Sequence, residues 1–181
     1  MQVMKIFEEL LLLPPNVQQA KYEIIKKYLK KDATMLEWGS GYSTIAFSKE
    51  VEYVYTVEHS LYWFNLISFL SVLLQIENLT VLGIAAENGD EDEKIKFATY
   101  INAPDILKEQ HGRDKYDIVL IDGCVRNHCL EKIIPFLHDD SVVIIDDYNR
   151  DQELHHDIIS ESYEVIEKSE AGSALLVLKK K

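Results

Sequence analysis

Hydrophobic positions along the 181-residue chain fall into a repeating two-part pattern. Short, nearly continuous apolar runs occur at ATMLEW (33–38), YVYTVEH (53–59), LTVLGIA (79–85), YDIVLID (116–122) and SVVIID (141–146). Each run has strand length and little polar alternation, the signature of strands buried on both faces. Between them lie segments with apolar residues at helical spacing. The first extends from Asn16, a candidate cap, to about Lys31, with Val17, Ala20, Ile24, Tyr28 and Leu29 in register. Others are YSTIAFSKE, LYWFNLISFLSVLLQI (61–76), NHCLEKIIPFL and a stretch around 150–161. Two further runs, YEVIEK (163–168) and SALLVLK (173–179), are joined by Glu170-Ala171-Gly172 and read as a terminal hairpin. Five β-α alternations predict an α/β protein with a doubly wound parallel sheet, and the hairpin adds an antiparallel strand at the C-terminus.

Two segments depart from this rhythm. The stretch 84–115 reads as one long irregular connection, the kind that often forms a lid or a substrate wall. Its charge run ENGDEDEK (87–94) is most simply a solvated loop, and Tyr100 a packing residue rather than a substrate contact. In the helix at 61–76, twelve of 16 residues are apolar, and the polar positions Asn65, Ser68, Ser71 and Gln75 form one narrow stripe. A helix with so little polar surface needs cover on most sides. One sheet face does not readily cover Tyr62, Trp63, Phe64 and Phe69 together, so this helix is a candidate homodimer surface.

Composition narrows the class. The length suits one domain over 1–181, with residues 1–31 as an N-terminal helical extension. There are 31 acidic and 19 basic residues, a formal net charge of −12. That balance repels a phosphate backbone, so no nucleic-acid partner is expected, while a cationic ligand is compatible with it. The two cysteines, Cys124 and Cys129, form neither a disulfide framework nor a CxxC pair and read as free thiols of a reducing cytosol. The N-terminal MQVMKIFEELLLLPP lacks the basic start and longer apolar core of a signal peptide, and no run reaches membrane-spanning length. A cytoplasmic protein without a membrane partner is the expectation.

The candidate chemistry lies where predicted strands end. Open parallel sheets bind ligands at the carboxyl ends of their strands, where strand order reverses. The first strand ends in Glu37-Trp38-Gly39-Ser40-Gly41. Gly39 and Gly41 permit a tight turn and close approach of backbone to a ligand, and Ser43 and Thr44 can satisfy the first amides of the next helix. Glu58 ends the second strand, where an acid can accept both hydroxyls of a ribose. An adenosine-type ligand fits these features. A dinucleotide fingerprint needs a third small residue where this chain has Thr44, and a pyrophosphate is repelled by Glu37. An amino-acid ammonium group is attracted by it. Glu37 therefore favours S-adenosylmethionine over a nicotinamide dinucleotide.

EWGSGYST, VEHS, YDIVLIDG and IIDDYNR, in this order and on these strand ends, resemble class I S-adenosylmethionine-dependent methyltransferases over roughly residues 16–181. Within that superfamily they are similar to a small, poorly characterised group with EWGSGxST, DGxxR and DDY segments. The resemblance implies a Rossmann-like sheet of seven strands, one of them antiparallel. By motif match it implies that Glu37, Gly39, Ser40 and Gly41 hold the methionine portion and Glu58 the ribose. That group tends to show DGRxR. Here Cys124 replaces the first arginine and Arg126 matches the second, which puts the first arginine's role in doubt.

Asp122, Asp146 and Asp147 end the fourth and fifth strands. Oxygen ligands from adjacent strand ends suit Mg²⁺, and the arrangement is similar to that of metal-dependent sugar and catechol O-methyltransferases. The competing reading has Asp122 facing cofactor and substrate without metal, as the first candidate for a general base, while Asp146 or Asp147 caps the next helix. His128 reads as a surface residue, and the adjacent His155 and His156 point apart on a helix. Cys124 has no predicted basic partner except Arg126. The leading expectation is a methyltransferase acting on a small molecule at oxygen. The alternative is a catalytically degenerate S-adenosylmethionine-binding or interaction protein on the same fold.

Overall fold

A computed structural model describes residues 16–87, 92–150, 152–169 and 174–181, without the side chains of 16–18 and 152–155. Seven strands run β1 Thr34–Trp38, β2 Tyr53–Glu58, β3 Leu79–Gly83, β4 Tyr116–Ile121, β5 Leu137–Ile145, β6 Tyr163–Ser169 and β7 Leu175–Lys180. Eight α-helices lie among the described residues: α1 Asn16–Lys26, α2 Tyr42–Phe47, α3 Leu61–Leu73, α4 Glu93–Lys96, α5 Ala98–Ile101, α6 Ala103–His111, α7 Arg126–Ile133 and α8 Gln152–Ser162.

The strands form one sheet in the order β3-β2-β1-β4-β5-β7-β6. β1 pairs in parallel with β2 and β4, and β7 runs antiparallel to both β5 and β6. Strand order therefore reverses between β1 and β4, which places the ligand crevice at their carboxyl ends. Four of the five apolar runs became buried central strands because both faces are covered: Met35, Leu36, Trp38, Val54, Val57, Val119 and Ile121 are all fully buried, whereas β3 lies at the sheet edge and is only half-buried. One core lies beneath α5, α6 and α7 and includes Trp38, Val57, Tyr100, Leu107, Val119 and Leu130. A second contains Ile25, Met35, Phe47, Val54, Leu120 and Val177, and a third, smaller one packs Ile45 with Ile67 and Leu70 of α3. Tyr22 of α1 stacks on Phe47 at 5.9 Å between ring centroids, fixing α1 to the second core.

The structure corrects several boundaries. α1 ends at Lys26 rather than near Lys31, and α3 at Leu73, just before Gln75 takes a left-handed conformation at φ 55°. The helix after β4 gives way to a 3-10 turn at Ile134–Phe136, so β5 begins at Leu137. The stretch 84–115 is not one irregular connection: α4, α5 and α6 occupy much of it. Tyr100 of α5 is fully buried and its backbone oxygen accepts from Trp38 Nε1 at 3.0 Å, a packing role. Pro14-Pro15, residues 88–91 of the ENGDEDEK run, the turn at Glu170-Ala171-Gly172 and the side chains of Asn16 and His155 lie outside the described residues. No described helix is long and apolar enough to cross a membrane.

Candidate functional site at the strand ends

Backbone hydrogen bonds carry the parallel ladder one residue past the strands. Gly39 N donates to Val57 O, Asp122 N to Trp38 O and Asp146 N to Ile121 O, at 2.8, 2.8 and 3.0 Å. Gly39, Asp122 and Asp146 are thereby held along one rim. Gly39 has φ +95°, and a Cβ there would stand 2.8 Å from Asp122 C and from Gly123 N. Both the backbone conformation and the close approach of the β4 end demand glycine.

Glu37 sits beneath this turn with no solvent exposure. Its Oε2 accepts from Thr44 Oγ1 at 2.6 Å, while Oε1 is buried without a partner among the described residues. Burial raises its pKa to about 7, opposed by the hydroxyls of Thr44 and Thr56 and reinforced by the charge on Glu58. Thr44 also accepts from Gly41 N at 3.0 Å, so it ties the turn to the carboxylate below it. That is the amide-capping role expected of Thr44, whereas Ser43 is exposed.

Glu58 is also buried. Its Oε2 accepts from Ser40 N at 2.8 Å and Ser40 Oγ at 3.1 Å, and Oε1 accepts from Ser60 N at 2.6 Å. Burial opposes ionisation, yet neighbouring His59 and these amides hold the carboxyl below its usual range. His59 Nδ1 stands 3.3 Å from Glu58 Oε1, and Cys124 and Glu58 beside the imidazole push its pKa up to about 10. His59 was invisible as a site residue in the sequence because nothing there shows that the loop after β4 returns to it.

On the other side of the rim, Asp122 faces the open crevice yet is closely surrounded by protein atoms. Desolvation, and then the carboxylate of Asp146, raise its pKa to about 8, with Lys21 partly offsetting the rise. Asp147 N donates to Asp146 Oδ1 at 2.7 Å, a local turn in which Asp147 takes φ 50°. The expected divalent-cation site at Asp122, Asp146 and Asp147 is corrected here. Among the described residues no group of three or more His, Cys, Asp or Glu could hold a metal ion. The physical reason is a cation that the sequence did not advertise: Lys21 Nζ lies 2.7 Å from Asp146 and 3.1 Å from Asp147. Arg150 adds a second ion pair to Asp147 at 3.0 Å. A lone lysine on an amphipathic helix has no motif, and 125 residues separate it from Asp146.

Arg126 is buried at the start of α7, directly after Val125 in a left-handed conformation at φ 46°. For a β-branched residue that conformation stores strain, here in the loop that carries Cys124. His128 lines a cavity of about 290 Å³ with Lys94, Ala98 and Ile101.

No protein-family model matches the sequence, and no curated relative matches it. Solved structures do. A methyltransferase-like protein from Silicibacter pomeroyi superposes with a TM-score of 0.67 at 19% identity, covering 94% of this chain and 88% of that one. A putative methyltransferase from Streptococcus mutans in complex with S-adenosylhomocysteine gives 0.65 at 11% identity, covering 93% of this chain and 100% of that one. An rRNA methylase from Streptococcus thermophilus gives 0.63 at 13% identity, with 93% and 98% covered. These likenesses establish the fold, the Rossmann-like α/β sheet that those methyltransferases share.

Proposed function

We propose that this protein is an S-adenosylmethionine-dependent methyltransferase that methylates a small molecule at oxygen. The observation that carries the reading is Glu37 Oε1, a fully buried and unpartnered acceptor directly beneath the Gly39 turn. Such an atom is costly to leave unsatisfied, and a ligand ammonium group is the donor that this fold would bring to it. Gly39, Ser40 and Gly41 keep the turn low enough for a ligand to lie across it. A carboxylate offers about four acceptor positions. Glu58 already uses three, so a ribose diol engages both of its hydroxyls only as Ser40 Oγ rotates away.

S-adenosylmethionine supplies an activated methyl group when bound. The chain's own task is to hold the acceptor in line, and positioning of reactants can supply on the order of 7–11 kcal/mol of a barrier. Glu37, Gly39, Ser40, Gly41 and Glu58 would hold that donor, which would supply its methyl group to the acceptor oxygen. The hydroxyl proton passes to Asp122. With a pKa near 8, Asp122 is a base on the alkaline side of neutrality, so turnover should rise as pH passes from 7 to 9. The net charge of −12 favours a small acceptor over the RNA modified by some proteins of this fold. The reading also includes a cytoplasmic location and a homodimer through α3.

Calorimetry with S-adenosylhomocysteine tests the proposal. Wild-type protein should bind it, and Glu58→Ala should weaken binding by about tenfold or more, as expected for losing hydrogen bonds to a charged group. A folded wild-type sample that binds none removes the proposal. Unchanged affinity in a folded Glu58→Ala variant removes the ribose assignment.

A further inference from the structure

The structure assigns to Lys21 the place beside the strand-end acids where a divalent cation was expected, so that its ammonium group closes Asp146 and Asp147 to a metal ion. This inference rests on the methyltransferase reading. Three acids gather at the ends of β4 and β5: Asp122 on one strand end, Asp146 and Asp147 on the other. Lys21 reaches Asp146 at 2.7 Å and Asp147 at 3.1 Å, and only 18% of its side chain is exposed. It is not a wandering surface lysine. Tyr22 beside it stacks on Phe47, and Ile25 one turn later is buried in the core. Lys27 and Tyr28, just past the end of the helix, both donate to Glu167 Oε1 and Oε2, at 2.6 and 2.7 Å. α1 is therefore anchored directly C-terminal to Lys21.

An ammonium group donates three hydrogen bonds and accepts none. Two of Lys21's protons are directed to Asp146 and Asp147. Mg²⁺ in this place needs near-octahedral oxygen ligands at about 2.0–2.1 Å. Lys21 holds the same carboxylates at ammonium distance and with a single charge, so it competes directly with such an ion.

Mn²⁺ is the probe for the test, titrated calorimetrically into wild type, Lys21→Ala and Lys21→Ala/Asp146→Asn, each checked for folding by circular dichroism. Wild type should show no saturable site at millimolar Mn²⁺. Lys21→Ala should bind at least tenfold more tightly, and adding Asp146→Asn should abolish the gain. If Lys21→Ala does not fold, Lys21→Met keeps the aliphatic stem and serves instead. Equal Mn²⁺ binding by wild type and variant, or no gain on removing Lys21, overturns the inference. S-adenosylhomocysteine binding measured on the same samples keeps the two claims apart. Its absence from wild type sinks the methyltransferase reading whatever Mn²⁺ does, while its presence with an unchanged Mn²⁺ response sinks only the role of Lys21.

Discussion

A carboxylate without solvent contact and with one oxygen unpartnered is expensive to keep ionised, and Glu37 is in that position. Its pKa near 7 against an ordinary 4.5 means that the folded chain retains a proton the unfolded chain has released in that interval. Protonated Glu37 therefore favours folding below pH 4.5, and that contribution disappears as pH rises through 7. Its size is at most about 3 kcal/mol. Glu37→Gln should accordingly raise ligand-free stability by about 1–3 kcal/mol at pH 8 and change it little at pH 4.5, as measured by urea denaturation. Equal effects at both pH values would argue against a buried, titrating carboxyl. The same variant should lose affinity for S-adenosylhomocysteine at pH 8, because the ionised oxygen needed for the ammonium is gone. Cost in stability and gain in binding thus meet at one atom. Of the residues around it, Gly39 and Glu58 could be read from their spacing, since each is tied to a strand end. Lys21 and His59 could not, because their neighbours come from distant parts of the chain.

Helix α3 carries its consequence on its outer face. Ile67 and Leu70 are buried, but Leu61, Tyr62, Phe69 and Val72 are 71%, 67%, 63% and 78% exposed. The apolar composition of 61–76 predicted that one sheet could not cover this helix, and the sheet covers only one side of it. No acidic or basic residue lies in its first or last turn. A chain of net charge −12 can therefore meet a second copy here without placing like charges face to face. Phe69→Glu with Val72→Glu should convert dimer to monomer in analytical ultracentrifugation, with little effect on the circular dichroism spectrum. A wild-type monomer at the highest soluble concentration would sink the dimer. The stretch 84–115 shows the opposite outcome for an element. Its helices α4 to α6 are four, four and nine residues long, and the first two are too short for a periodic pattern to announce them. Packing on the core, through Tyr100, Ala103 and Leu107, stabilises what local sequence does not.

At the scale of the whole molecule, charge and topology divide the question of function. The net charge of −12 should keep the protein from retaining RNA: no shift of a ribosomal RNA fragment is expected at 50 mM salt, where basic binders bind most tightly. Methyl label from S-adenosylmethionine should appear instead in the small-molecule fraction of a cell extract. Label entering RNA would reverse the choice of acceptor. The order β3-β2-β1-β4-β5-β7-β6 explains why several distant motifs serve one crevice, since its reversal at β1 and β4 brings four strand ends to one rim. By itself the sequence determined the α/β class, the parallel strands, the antiparallel end and the acids that close the strands. Apolar runs and glycine turns are local properties, and they survive translation into structure with boundaries shifted by a few residues. Only the tertiary structure decided what those acids meet. Whether Asp146 and Asp147 face a metal ion or an ammonium group depends on where a helix more than a hundred residues away is anchored. That anchoring is the summed result of packing by Tyr22 and Ile25, which no spacing along the chain encodes.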